Sequence, residues 1–559
     1  MSTAAVPRPS SRLWFPLLVL IAAPLAAAAV WYWPSDWDHG HRFLTLVPLT
    51  GGALVLLAFW LLFLSRLPRW VRFAPVTLFA AVIAFLALSV REVNYSGDMF
   101  PVFTFWWDKT HDDLLEEHRQ KQAATPARTP DSSAPDAYPP WFSGFFGNRR
   151  NGLVDDVKLR EDWQAEPPKM LWRQPVGGGY AGFVVDGKRA ATIEQRRGKE
   201  VVACYDVETG RELWVHSYPA HFKETLGGPG PRATPLICSY WDQEKRTRPH
   251  VVTLGATGKL LSVDLETGQL DWPGVIDVLK DNANLPWGMA ASPLWFSNFV
   301  AQDVEQFHSE VIVAPGVQAE GAKGRAVIVY DARSGKELRA FGDHRGAYSS
   351  PVIGMLCGTE QLLVFDGDGL TGYDPKAGKE FWHHPWVAMP PQLINVAQPL
   401  VLDEDRVFIS SGYDVGCAML RIKKDDKPEV LWQNKLMRCK FTSPVYREGY
   451  LYGLDEGILV CLDAKTGERK WKDGRYGHGQ ILMADRHILV LSESGDLVLV
   501  EATPEGHREL GKFPALEGKT WNPPALSQGF VLVRNHNEMA CYELPGEKID
   551  RGRGEIIPW

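Results

Sequence analysis

The feature that most restricts this chain is a short segment that keeps returning along its C-terminal part. "YDVETGRELW" begins at Tyr205, and "VDLETGQLDW" at Val263, "YDPKAGKEFW" at Tyr373 and "LDAKTGERKW" at Leu462 repeat its plan. Self-similarity at such spacing marks a repeat architecture, in which one small unit of secondary structure is copied and stacked. Each copy follows an apolar run such as "EVVACYD" or "GILVCLD", which reads as a strand. Asp-x-x-Thr-Gly then reads as a tight turn: Asp206 and Thr209 offer oxygens to nearby amides, and Gly210 accepts a positive φ without strain. The next strand carries Trp214, Trp272, Trp382 or Trp471 at one offset, a large flat side chain suited to the gap between neighbouring sheets. Ala377 replaces the threonine in one copy, so the glycine matters more than the hydroxyl.

Weaker copies fill the intervals. "YDARSGKELRAF" at Tyr330 ends on Phe341, "LRIKKDDKPEVLW" on Trp432 and "VEATPEGHRELGKF" on Phe513, and "CYELPGEKI" from Cys541 has the strand and turn alone. The turns lie about 40 to 70 residues apart, the lower end being the length of a four-stranded propeller blade. "PKMLWRQPV", 168–176, holds the tryptophan strand without its turn. It is expected to complete the sheet begun at Cys541 and close an eight-bladed ring, leaving no unpaired edge; the alternative is a linear stack of β units.

On these motifs the chain, from about Trp141 to Tyr542, resembles the pyrroloquinoline-quinone-like (PQQ-like) β-propeller family, whose blades repeat a strand, an Asp-x-x-Thr-Gly turn and a tryptophan. The resemblance implies an all-β fold, an eight-bladed propeller of four-stranded antiparallel blades over 141–559. It does not choose a chemistry, since the family holds quinoprotein dehydrogenases and also non-enzymatic outer-membrane assembly lipoproteins.

Residues 1–92 are of another kind. Three uncharged apolar stretches, 13–33, 43–64 and 73–90, are each long enough to cross a bilayer as a helix. Arg8 and Arg12 precede the first, and Arg66, Arg69 and Arg72 lie between the second and third. Positive flanks stay cytoplasmic, so everything after Val90 is expected across a bacterial inner membrane, in the periplasm. A cleavable signal peptide ending at "AAAA" is the rival reading of the first stretch and leaves this topology unchanged. Residues 93–140 then hold a short polar helix, "THDDLLEEHRQKQ", and an Ala/Pro/Ser-rich linker.

A formal net charge of −7 and the lack of a long basic run in the propeller argue against nucleic-acid binding. Of the seven cysteines, Cys204, Cys461 and Cys541 occupy one strand position in three blades and read as small core residues. No C-x-x-C points to zinc or covalent haem.

A site is expected where the inner strands open on one rim. "PRATP", "GMAASP", "GAYSSP", "INVAQP", "KFTSP" and "KTWNPP" lead into those strands, each with small or polar residues before its proline. The rim candidates are Arg232, Trp287, Tyr348, Asn395, Lys440, His478, Gln480, Lys519, Trp521 and Asn522, either a pocket for an anionic or carbonyl-bearing ligand or a self-satisfied channel filling. His383 and His384 read as solvated loop residues. Two functions follow. One is a membrane-tethered scaffold for a protein or small-molecule partner, with "VHSYPAHFKETLGGPG" and "WFSNFVAQDVEQFHSE" as long recognition loops. The other, implied by the resemblance, is a membrane-bound quinoprotein dehydrogenase acting on sugars or alcohols, which requires PQQ, calcium and a carboxylate base. The inner-strand motifs contain no Asp or Glu, so the scaffold is the favoured expectation and no catalytic or metal residue is assigned.

Overall fold

The computed structural model describes residues 14–32, 39–65, 67–95, 101–124, 140–225, 227–241, 247–298, 308–424 and 426–549. Two compact units make up the chain, 1–109 with 225–227, and 110–224 with 228–559. Arg8, Arg12, Arg66, the Ala/Pro/Ser-rich linker and the middle of the second long excursion lie outside the described residues.

In the first unit, helix α1 spans Trp14–Tyr32, α2 spans His39–Phe59 and continues as a wider π turn, Trp60–Leu64, and α3 spans Arg69–Ser89. Each provides a segment long and apolar enough to cross a membrane. Large side chains such as Leu17, Ile21, Val55, Phe85 and Leu88 are exposed, as lipid-facing helices require. The third helix starts at Arg69 rather than at 73, which puts Arg69 and Arg72 in its first turn. The "AAAA" stretch lies inside α1. A two-stranded hairpin, Val90–Tyr95 with Pro101–Phe105, follows α3.

The second unit is a ring of eight antiparallel blades. Blade 1 runs outward through Val184–Asp186, Arg189–Arg196, Lys199–Asp206 and Glu212–Pro219. Blade 8 joins Ala525–Ser527, Phe530–Arg534 and Glu538–Glu543 to Lys169–Pro175, with Trp172 opposite Cys541. Trp214 faces Cys204 and Trp471 faces Cys461 in the same way, so the three cysteines are equivalent, buried and unbridged.

The repeat turns form as their composition requires. Asp206 Oδ1 accepts the amides of Glu208 (3.1 Å) and Thr209 (2.8 Å) and the Thr209 hydroxyl (2.7 Å). In the copy with alanine, Asp374 keeps both amide bonds, to Lys376 and Ala377, and loses only the hydroxyl. The glycine is required on two counts. Gly210 sits at φ 70°, and a Cβ there would lie 2.6 Å from the Trp172 indole. Trp172 also donates from Nε1 to Val207 O (2.8 Å) in the same turn. Trp214 covers Gly268, Trp272 covers Gly335 and Trp432 covers Gly467 in the same manner. The tryptophan thus does more than fill a gap: it caps the turn of the next blade, and a tryptophan and turn that adjoin in sequence belong to different contacts.

Two further elements position the site. Pro140–Phe142 adds a strand at the inner edge of blade 1, and Leu153–Val154 pairs in parallel with the inner strand of blade 7. Between them, residues 143–152 touch blade 2 and the segments that lead into blades 3 and 5. Ser143 O accepts Ile237 N of blade 2, and the buried Arg150 donates to Pro293 O (2.7 Å) before blade 3 and to Gln398 Oε1 (3.4 Å) before blade 5. Helix α4, His111–Ala124, packs on the closure, with His118 Nε2 3.0 Å from Gln174 Oε1 and Arg119 2.9 Å from Glu212.

Candidate binding site

A hydrogen-bonded belt forms the floor of the channel mouth. Gly182 N donates to Thr234 Oγ1 (3.0 Å), Thr234 N to Ser292 Oγ (2.9 Å), Ser292 N to Ser350 Oγ (2.9 Å) and Gln398 N to Ser443 Oγ (3.0 Å). Thr234, Ser292, Ser350 and Ser443, small polar residues directly before their prolines, therefore join blade to blade. Three of the rim candidates belong to this structural layer. Asn395, 0% exposed, donates to Asp366 O and Trp386 O and accepts from Ser411. Gln480 donates to Phe441 O and Trp521 O, and Asn522 to Gly179 O and Ala181 O.

The other candidates line the mouth above the belt. Lys519 Nζ sits 4.2 Å from the centre of the Trp521 ring and 5.6 Å from that of Tyr180, while the Arg232 guanidinium lies over Phe222 (4.5 Å) and Tyr180 (5.6 Å). Phe441 joins Trp521 (4.9 Å) to His478 (5.4 Å). Further round, Trp287 meets Tyr348 edge-on at 5.8 Å, and Lys440 lies 5.1 Å over Tyr413. Cation over ring and ring against ring are contacts worth roughly 0.5–2 kcal/mol each, so the rim is held in one arrangement.

Acids also reach this rim, which the inner-strand motifs did not indicate. Glu224 lies 3.3 Å from Arg232, and Glu456 lies 3.5 Å from Lys440. Glu493 accepts from Trp521 Nε1 (3.1 Å) and His478 N (2.9 Å) and acts electrostatically on Lys519. Glu224 comes from the first long excursion, and Glu456 and Glu493 from turns between the second and third strands of blades 6 and 7. Each candidate cation thus has an acid neighbour, and the mouth is a ring of aromatic faces interleaved with opposite charges.

Burial lowers the Arg232 guanidinium and takes the Lys519 ammonium down to about 8, with Glu493 and Glu224 opposing that fall and Arg232 adding to it. Burial, then the neighbouring His111 and Lys519, hold His536 behind Tyr180 neutral, at about 3. In full-length protein labelled with an acylating reagent, the peptide containing Lys519 is expected to react half-maximally near pH 8. Ordinary lysines titrate at about 10.4. An inflection above pH 10 by mass spectrometry would mean a solvated ammonium.

His383 and His384 are not loop residues. They sit on the outer strand of blade 4, Glu380–Pro385, where His383 Nδ1 lies 2.9 Å from the Thr371 hydroxyl and its ring stacks on His344 at 4.3 Å. The doublet "HH" next to the tryptophan strand position was the available signal, since that strand alternates inward and outward.

The sequence of residues 290–473 matches the family described as outer membrane protein assembly factor BamB. No protein of curated function matches the chain. Among solved structures, BamB from Moraxella catarrhalis is similar over 67% of this chain and all of its own, at 14% identity and a TM-score of 0.46. Quinohemoprotein alcohol dehydrogenase from Comamonas testosteroni is similar over 80% of this chain and 86% of its own, at 12% identity and a TM-score of 0.50, a likeness of fold alone. The C-terminal unit is an eight-bladed β-propeller, and its residues 290–473 carry the PQQ-like repeat of that family model.

Proposed function

We propose that this chain is a membrane-anchored scaffold whose propeller, on the periplasmic side, binds a partner protein or small ligand at the channel mouth without turning it over. The observation that carries the reading is the make-up of the rim. Arg232, Trp287 and Trp521 gather at one rim on the buried rings of Tyr180 and Tyr348, and Trp, Tyr and Arg are the residues that most often dominate binding energy at interfaces. The cations and acids beside them orient a polar partner. The apolar helices supply the anchor, and the arginines flanking the spans support the periplasmic side.

One observation favours a second reading, a PQQ-dependent dehydrogenase: Glu493 brings a carboxylate beside Lys519 and Trp521. The donor set for the accompanying calcium does not fit, because calcium takes six to eight oxygens and the rim acids stand in separate pairs on different elements. Among the described residues, no group of three metal-ligating side chains occurs among these rim acids.

The test places a photo-crosslinking residue at Trp287 in cells. A discrete adduct is expected, and Trp521→Ala or Arg232→Ala should weaken the partner's binding by about thirtyfold, the loss typical of a central anchor. No adduct beyond that of a position on the opposite rim would reject the reading. Dye reduction by purified protein that requires PQQ, calcium and a sugar or alcohol would establish the enzyme instead.

A further inference from the structure

Blade 4 differs from its neighbours in the turn between its second and third strands, which reads Asp366, Gly367, Asp368, Gly369. The loop arriving from blade 3 lays His344 against it. One ligand atom each from His344, Asp366 and Asp368 lie within 4.8 Å of one another. We propose that these three side chains bind a first-row divalent cation, Zn2+ foremost, at the edge of the channel mouth.

The surrounding bonds fix the donors without using them up. Asp366 Oδ1 accepts the amides of Asp368 (2.9 Å) and Gly369 (3.0 Å), while its Oδ2 has only a long contact with the Thr371 hydroxyl, 3.4 Å. Asp368 is held by Arg345, whose guanidinium takes Oδ1 and whose amide reaches Oδ2 at 2.7 Å. His344 Nε2 lies 3.2 Å from Glu380 Oε2, and its Nδ1 faces Asp368 Oδ2 at 3.8 Å. A histidine whose far nitrogen is held by a carboxylate is the usual outer support of a metal-bound imidazole, fixing tautomer and ring orientation.

A second observation points to a ligand. Tyr373 is 1% exposed, yet its hydroxyl finds no hydrogen-bond partner, and the Thr371 hydroxyl beside it is engaged by His383 Nδ1 at 2.9 Å. Tyr373 and Asp366 line the same small cavity, with Ala314, Gly346 and Val364. A buried hydroxyl without a hydrogen bond, in a cavity that also holds a buried carboxyl, calls for a bound water or ion. Within the cluster Asp368 and Glu380 stand against the one guanidinium of Arg345, with the Asp366 carboxyl beside them, so a dication is favoured electrostatically. One imidazole with two carboxylates suits Zn2+ or Mn2+ better than the all-oxygen shell that calcium prefers, and Zn2+ binds above Mn2+ in general affinity order. Bonds of about 2.1 Å bring the three donors to roughly 3.5 Å spacing, which small side-chain rotations supply. The cation would pin the loop bearing His344, four residues before Tyr348 of the rim, to the turn of its own blade.

The experiment is equilibrium dialysis of the detergent-solubilised full chain against Zn2+ alone, with Co2+ as a spectroscopic probe. One equivalent of Zn2+ and a Co2+ visible spectrum of a nitrogen and oxygen site are expected. His344→Ala and Asp366→Asn should each weaken binding at least a hundredfold. Glu380→Gln, which leaves all three ligands in place, should weaken it about tenfold. Thermal melts confirm that each variant is folded. Binding well below one equivalent overturns the proposal, as does full binding in folded His344→Ala, or loss of binding in His216→Ala on the outer strand of blade 1.

Discussion

A chain ending at Ser527 is expected to lose its propeller, giving no cooperative melt in detergent and rapid proteolysis where the full chain resists. The deletion removes Phe530–Arg534 and Glu538–Glu543, the middle strands of blade 8. Lys169–Pro175 then has no partner, since its register is set wholly by the strand bearing Cys541. Val531, Leu532, Val533, Met539, Ala540 and Cys541 are all 0% exposed, so the cut also opens the cores of blades 7, 8 and 1. Burial of a large apolar side chain contributes about 1.5–3 kcal/mol, and the net stability of a domain is only about 5–15 kcal/mol. The loss is therefore on the scale of the whole fold. Trp172 would also lose the strand that aims it at Gly210 and Val207 of blade 1. A truncated chain that melts within a few degrees of the intact one would show that blade 8 does not close the ring.

That closure was legible in the sequence because of a mismatch: 168–176 had a tryptophan strand with no turn, and 541–549 had a turn with no tryptophan strand. The repeat supplies the register as well: the shared offset of Cys204 and Cys461 from Trp214 and Trp471 is direct cross-strand pairing, and Cys541 makes the same pairing with Trp172 from the other end of the chain. Residues 143–152 were not legible. They have neither period, and Arg150 in a stretch rich in Gly and Asn reads as exposed until the ring is seen to close around it, where burial takes its guanidinium down to about 9. Glu456 and Glu493 escape the inner-strand motifs for a geometric reason. Inner strands begin at the rim, second strands return to it, and so the turn into the third strand must lie there too. "LDEGIL" and "SESGDL" carry Glu456 and Glu493 at that place, and "FDGDGL" carries Asp366 and Asp368. The segments before the prolines carry only part of the residues that converge there.

Arg534→Met is expected to destabilise the propeller by about 3–5 kcal/mol, more than the loss of any one rim residue, because it breaks a buried charge network across the same closure. Arg534 of blade 8 is 0% exposed and donates to Thr192 Oγ1 (2.8 Å) and Ile193 O (3.3 Å) in blade 1 and to Gly177 O (2.7 Å). Next to these lies Glu194, also 0% exposed, which accepts from the Tyr205 hydroxyl (2.7 Å) and Arg196 (2.6 Å). Burial by itself would raise the Glu194 carboxyl, but Arg196 and Arg534, with these hydrogen bonds, hold it below the usual carboxylate value. A depressed folded value means that this carboxylate stabilises the fold fully above its unfolded pKa of about 4.3, and that the contribution fades as pH falls toward the folded value. Removing Arg534 lets burial act on Glu194 with less opposition, so acid unfolding of the variant should begin at higher pH. The measurement is urea unfolding at pH 7 and pH 5 for Arg534→Met, Glu194→Gln and the double variant. Methionine keeps most of the volume, so the loss reports charge rather than a cavity. With both charges gone the double variant should recover at least 1 kcal/mol relative to the sum of the single losses, the sign of a directly coupled pair. Strict additivity would mean that Arg534 and Glu194 act independently, Arg534 contributing only through its hydrogen bonds to Thr192, Ile193 and Gly177.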